Sequence, residues 1–286
     1  MRSWGHSARI VWAVSALLIT TILAASTHAS MINVMPLGDT ITIGGSATHN
    51  GGYRYPLWNL IKSGPNAGTI DFVGSESKGP DNFDADHEGH SGNTIDETIA
   101  NTTKGTTIEG WLGASTPDVI LLHIGTVNAY HNSPSQPLDA ISDLEVLVDR
   151  IFTFLPGVEL YLLSIIGTAD DSSSSFSTYV NAYNAALPAL VAEEQHAGND
   201  ITFVDMFNGA GLIYGVGSPD FTDLVHPSDA GYDKMAQFLH SQVFPNIKPE
   251  PTTLTLFVMG LSLFLARRQA GRSTWIVARS TVKHMG

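Results

Sequence analysis

Five short, continuously apolar runs, separated by polar loops and helix-patterned segments, constrain this chain more than any other feature. They are Ile32–Leu37, Thr69–Gly74, Asp118–Ile124, Val158–Ile166 and Ile201–Asp205. Runs of that length, bounded by punctuating residues, read as strands. Strands that are apolar along their whole length are buried on both faces, which parallel sheets achieve when helices cover both sides. The intervening segments supply the helices. Tyr55–Lys62 is a short one stopped by Ser63-Gly64-Pro65, and Thr94–Thr103 opens with Thr94 and Glu97 at capping-box spacing. Leu138–Leu155 repeats apolar residues at helical spacing (Ile141, Leu144, Leu147, Val148, Ile151, Phe154). Phe176–His196 carries Pro188, which is expected to kink it, and Ser228–Val243 closes the series. The polar stretch Ser75–Asn93 and the serine run Ser172–Ser175 read as loops. Five such units predict a three-layer α/β/α flavodoxin-like sandwich, with a five-stranded parallel sheet in the order 2-1-3-4-5. No Gly-x-Gly-x-x-Gly follows the first run, which argues against a dinucleotide-binding fold.

The two ends lie outside that alternation. Arg2 and Arg9 precede the uncharged apolar segment Ile10–Ala25, and small residues follow up to Ala29. That order describes a secretory signal peptide over residues 1–29, since the apolar segment is short of the ~20 residues of a spanning helix. At the other end, Pro249-Glu250-Pro251 leads into the apolar run Leu254–Ala266, closed by Arg267-Arg268. This resembles the PEP-CTERM sorting signal of Gram-negative bacteria, and the resemblance implies processing by an exosortase-type enzyme. Such tails usually stop soon after the arginines, whereas here residues 269–286 continue, with no role assigned. A plain C-terminal anchor with its arginines on the cytoplasmic side is the alternative. The expected organisation is therefore a leader at 1–29, one domain over 30–248, a sorting or anchor segment at 249–268 and a tail. The expected location is the cell surface or the exterior, with membrane contact only through the terminal segments.

Between the ends the chain is strongly acidic. Residues 30–249 hold seven Lys and Arg against 26 Asp and Glu, a formal charge of −19. Such a surface repels nucleic acid and anionic lipid, and it favours neutral or cationic substrates. No cysteine is present, so an exported fold of this chain has to be held by its core and not by disulfides.

Polar constellations collect where the strands end. Gly38-Asp39-Thr40 follows the first run, Glu88-Gly89-His90-Ser91-Gly92 the second, and Gly125-Thr126-Val127-Asn128 the third. Asp223-Leu224-Val225-His226-Pro227 precedes the last helix. By itself Gly38-Asp39-Thr40 fits a strand that ends at a helix cap as well as one that delivers a nucleophile. An Asp three residues before a His can orient the imidazole and steady the imidazolium, although each alone also suits an ordinary turn. The histidines and carboxylates between Asp84 and His90 show no zinc-type spacing, so no metal or other cofactor is expected.

Taken together the four segments resemble the sequence blocks of the SGNH (GDSL-type) hydrolases, nearest the acetyl xylan esterase-like branch, carbohydrate esterase family three. Met35-Pro36-Leu37-Gly38-Asp39, Gly52-Tyr53-Arg54, Asp71-Phe72-Val73-Gly74-Ser75, His87–Gly92 and Leu121–Thr126 carry the branch likeness. The resemblance implies a flavodoxin-like sandwich that hydrolyses esters, often acetyl groups on polysaccharide. It puts Thr40 on the nucleophile, Asp223 and His226 on the orienting acid and general base, Gly92 on a backbone oxyanion donor, and Asp39 before the nucleophile. Two positions depart from the pattern. Thr40 stands where the family has Ser, and its extra methyl crowds the attack path. Val127 stands where the family has the oxyanion Asn, so Asn128 could donate only if the backbone shifted by one residue. Those losses motivate a second reading, an impaired pseudoenzyme that binds glycan or serves in an extracellular matrix. Tyr53, Tyr55, Trp58 and Tyr130 are candidate sugar-stacking aromatics under either reading, with Trp58 also suited to the core.

Overall fold

Strand β1 (Ile32–Gly38) is the middle of the sheet, and the chain around it explains why. The structure, a computed structural model, describes residues 30–101, 105–131, 137–170 and 174–247. In chain order the elements are β1, α1 (Thr40–Ile43), α2 (Arg54–Ser63), β2 (Ile70–Phe72), β3 (Glu76–Ser77), β4 (Asp86–Gly89), α3 (Ile95–Ile99), β5 (Ala100–Asn101) and β6 (Thr106–Thr107). There follow α4 (Ile108–Ser115), β7 (Val119–His123), α5 (Thr126–His131), α6 (Pro137–Phe154), β8 (Glu159–Leu163), α7 (Ser175–Ala197), β9 (Ile201–Val204), α8 (Met206–Gly209) and α9 (Asp229–Val243).

The apolar strands pair in parallel, with β2 and β7 flanking β1 and then β8 and β9 beyond β7. The side-chain alternation of a strand puts successive residues on opposite faces. Thus Ile32 and Val34 join one buried cluster while Met35 and Leu37 join the other. Leu121 and Tyr161 belong with Val34, and Leu122 and Leu162 belong with Leu37. Helices α2 and α9 pack together on the first face, and α6 packs with α3, α4 and α7 on the second. Each fully buried Leu or Ile contributes about 1.5–3 kcal/mol, so both cores stabilise the layered fold without cross-links.

Several expectations need correction. The sheet has seven strands, not five, because the polar stretch expected to be a loop contains β3 and β4. β4 extends β1 in parallel after β2 has ended, and β3 pairs with it antiparallel. Its buried side chains are polar: His87 and Glu88 lie among hydrogen-bond partners, so periodic hydrophobicity cannot reveal them. Pro36, which has no N–H to give a ladder, sits where β1 passes from β2 to β4. The helix expected over Thr94–Thr103 ends at Ile99, because Ala100 and Asn101 leave it to pair with β6. Its capping box of Thr94 and Glu97 is present. Helix α7 runs on through Pro188. Ser174 caps that helix and Ser175 begins it, so the loop expected over Ser172–Ser175 does not reach its last residue. The leader, the segment 249–268 and the tail lie outside the described residues. Among the described residues no helix is long and apolar enough to cross a membrane.

Candidate active site

The strand-to-helix turn at Asp39 is a helix cap that also brings a hydroxyl to the edge of the sheet. Asp39 is the N-cap of α1, its carboxylate accepting from the Ile41 amide at 3.0 Å. Capping places Thr40 as the first helical residue at the C-terminal edge of β1. Gly38 precedes it for a steric reason. A Cβ there would lie 2.0 Å from the His123 carbonyl oxygen, so only glycine lets β1 approach β7 at that level.

The Thr40 hydroxyl meets the loop that leaves β4. Its oxygen accepts from the Gly92 amide at 3.1 Å and lies 3.3 Å from Ser91 Oγ. Gly92 has φ +77, the left-handed region that favours glycine. The loop is fixed from behind. The His90 amide donates to the Gly38 carbonyl at 2.8 Å, and the buried His90 ring bonds Glu88 at 2.6 Å and stacks on Trp111 with centroids 4.2 Å apart. Glu88 in turn accepts from the Ser75 amide and hydroxyl, each at 2.7 Å.

Asp223 and His226 pair in the same cleft. His226 Nδ1 donates to Asp223 Oδ2 at 2.8 Å, which leaves Nε2 as the basic nitrogen. The carboxylate also accepts from the amides of His226 at 2.8 Å and Val225 at 3.0 Å. Partial burial pushes the Asp223 pKa up, but those amides and the imidazole outweigh it, and the net shift is downward. Asp223 is therefore held in its ionised form beside the imidazole.

Gly45 is where Thr40 and His226 meet. A Cβ on it would lie 2.8 Å from the Thr40 methyl, 2.7 Å from His226 Cδ2 and 3.0 Å from His226 Nε2. Its backbone is pinned on both sides, the amide donating to the Thr40 carbonyl at 3.0 Å and the carbonyl accepting from the buried Tyr232 hydroxyl at 2.9 Å. The methyl of Thr40 thus faces Gly45 and His226, while its hydroxyl bonds the loop opposite. Below them Asp39 is fully buried, and desolvation raises its pKa to about 6 against the Ile41 amide, Thr126 and the His226 charge.

These groups line one cleft of about 440 Å³, with Asp39, Thr40, Ser91, Gly92, Thr126, Val127, Asp223 and His226 on its wall. Asn128 is not among them. The third block is the first turn of α5, not a loop, so at 3.6 residues per turn Asn128 points away from its neighbours Thr126 and Val127. Its Oδ1 accepts from the Ile95 amide at 3.1 Å and caps α3 instead. Among the aromatics, Tyr130 is 61% exposed at the cleft mouth, whereas Tyr53 is wholly buried and cannot meet a sugar. Trp58 packs against the core. Gly45 and Ser91 were not singled out by the sequence pattern. The only signals for them were the Gly44-Gly45 pair just past the Asp39–Thr40 turn and the hydroxyl residue beside Gly92.

A model of the GDSL-like lipase/acylhydrolase family matches residues 36–234. A solved family 3 carbohydrate esterase of Clostridium thermocellum is 31% identical, over 76% of this chain and 96% of that one, with a TM-score of 0.59. A carbohydrate esterase family 3 structure from Talaromyces cellulolyticus is 28% identical, over 75% of this chain and 97% of that one, with a TM-score of 0.60. A "Multidomain esterase" of Ruminococcus flavefaciens is 27% identical over 241 residues, 76% of this chain. The chain spans only 29% of that relative's length.

Proposed function

Since the chain belongs to the GDSL-like lipase/acylhydrolase family, we propose that it hydrolyses acetyl or other short acyl esters of carbohydrate through an acyl-enzyme on Thr40. His226 Nε2 takes the Thr40 proton as Oγ1 attacks the ester carbonyl. The amides of Thr40 and Gly92 hold the oxyanion, and His226 returns the proton to the departing alkoxide. A water then attacks the acyl group by the same route, with His226 as base, and releases the acid. Asp223 holds the imidazole in the tautomer that makes Nε2 the base.

The observation that carries this reading is the convergence of Thr40, Gly92 and the 2.8 Å Asp223–His226 pair on one cleft. Two further features support the substrate class. Val127, Leu224 and Val225 offer an apolar rim to a short acyl chain, and exposed Tyr130 offers a ring face to a sugar. The acidic surface suits a neutral polysaccharide better than an anionic one.

The test is turnover of an acetyl ester by residues 30–249 against the variants Thr40→Ala and His226→Ala. Loss of turnover in both is expected. Wild-type turnover no better than Thr40→Ala contradicts the proposal and favours the pseudoenzyme, whose specific support is the Thr40 hydroxyl bonding Gly92 and Ser91 in place of His226. The same proposal includes export through residues 1–29 and sorting through 249–268 by an exosortase-type enzyme. Deleting residues 249–286 is then expected to move the protein out of the membrane or surface fraction, and an unchanged distribution refutes that part.

A further inference from the structure

Hydrolysis through Thr40 leaves one electrostatic gap. The family position for a side-chain oxyanion donor is Val127, which has none to give, and Asn128 is committed to the Ile95 amide. A missing donor typically costs ~10²–10³ in turnover. We propose that the Ser91 hydroxyl fills the gap as a side-chain oxyanion donor, and this assignment rests on the hydrolase reading above.

Position is the first support. The oxyanion is the former carbonyl oxygen, on the carbon that Thr40 Oγ1 attacks and two bonds from Oγ1 itself. Ser91 Oγ is 3.3 Å from Oγ1 and the Gly92 amide is 3.1 Å from it, so both donors sit beside the oxygen next to which the charge develops. Ser91 lines the same cleft as Thr126, Val127 and His226. Availability is the second. Among the described residues the only hydrogen bond of the Ser91 hydroxyl is to Thr40, so it turns onto a new acceptor without breaking a structural contact.

Pre-organisation is the third. Catalytic donors are worth most when they need no reorganisation as the charge appears. Both neighbours of Ser91 are held: Gly92 by its bond to Thr40, and His90 by Gly38, Glu88 and Trp111. The buried Glu88–His90 pair thereby acts as a buttress for the donor loop. No proton leaves Ser91 in this scheme. Its O–H points at the oxyanion while the Thr40 proton passes to His226 and on to the leaving alkoxide.

Five proteins with acetyl ester decide it: wild type, Thr40→Ala, Ser91→Ala, Ser91→Thr, and Ser91→Ala combined with Val127→Asn. The expected result is a fall of about 10²-fold in kcat for Ser91→Ala with KM little changed, as for loss of an interaction made only in the transition state. Ser91→Thr keeps the hydroxyl and retains turnover, and Val127→Asn restores part of what Ser91→Ala lost. An unchanged kcat in folded Ser91→Ala overturns the assignment while leaving the hydrolase reading intact. Ser91→Ala dead with Thr40→Ala active overturns it differently, by making Ser91 the nucleophile. Wild-type turnover no better than Thr40→Ala overturns the hydrolase reading and this assignment with it.

Discussion

Gly45→Ala is the sharpest steric probe of the proposed chemistry. The residue has φ outside the left-handed region, so alanine is tolerated by the local backbone and any effect comes from the new methyl. That methyl would lie 2.7 Å from His226 Cδ2 and 2.8 Å from the Thr40 methyl, against the 3.4 Å at which ordinary contact begins. The backbone cannot retreat, because the Gly45 amide and carbonyl are bonded to Thr40 and to the buried Tyr232. The imidazole must therefore move by about 0.7 Å, against its bond to Asp223, to reach ordinary van der Waals separation. Misplacement on the order of 1 Å costs about 10²-fold in rate, while overpacking costs about 1–3 kcal/mol of stability. The expected outcome is a loss of about 10²-fold in kcat on an acetyl ester, with a lower melting temperature but a folded protein. Adding Thr40→Ser removes the second clashing methyl and recovers part of the rate, so the two changes are coupled in a double-mutant cycle. Wild-type kcat in Gly45→Ala, at any stability, would refute the arrangement of Thr40 and His226 around this glycine.

Three further outcomes follow from groups beneath the cleft. Asp39 has its pKa raised from 3.8 to about 6 by burial, so between those values the unfolded chain is ionised while the folded one holds a proton. Stability then falls as pH rises through that window, by about 3 kcal/mol at ~1.4 kcal/mol per unit, and the whole cost is present above pH 6. Asp39→Asn is expected to gain stability over wild type at pH 7.5 and little at pH 4, and equal gains in urea titrations at both would refute it. His123 has the opposite sign: burial lowers its pKa from 6.5 to about 4, so its stability contribution is complete above 6.5 and lost as pH falls through 4. His123→Gln should flatten that acid-side loss, and an unchanged pH profile of melting would contradict it. Gly38→Ala, whose Cβ would lie 2.0 Å from a backbone oxygen of β7, is expected to lose about 3 kcal/mol or more, or fail to fold.

The layers were legible because burial on both faces forces continuous apolar strands, and Val34, Leu121 and Tyr161 read that way. β4 was not, because its buried residues are His87 and Glu88, whose desolvation is offset by hydrogen bonds that leave no periodic trace. Asp223 and His226 were legible because three residues of separation on one turn suffice to bring a carboxylate to an imidazole. Asn128 was misjudged because its direction depends on whether the third block is loop or helix. Once α5 begins at Thr126, helical rotation sends Asn128 to the α3 cap. Gly45 meets His226 and Ser91 meets Thr40 only through segments far apart in the chain, and the neighbouring glycines are too weak a local signal to reveal those contacts.

The central claim is that an internal threonine carries the acyl group. Labelling with a fluorophosphonate, followed by mass analysis of peptides, tests it most directly. One adduct is expected on the peptide containing Thr40, lost in Thr40→Ala and suppressed in His226→Ala. An adduct on Ser91, or none on a protein that still turns over an acetyl ester, would contradict it.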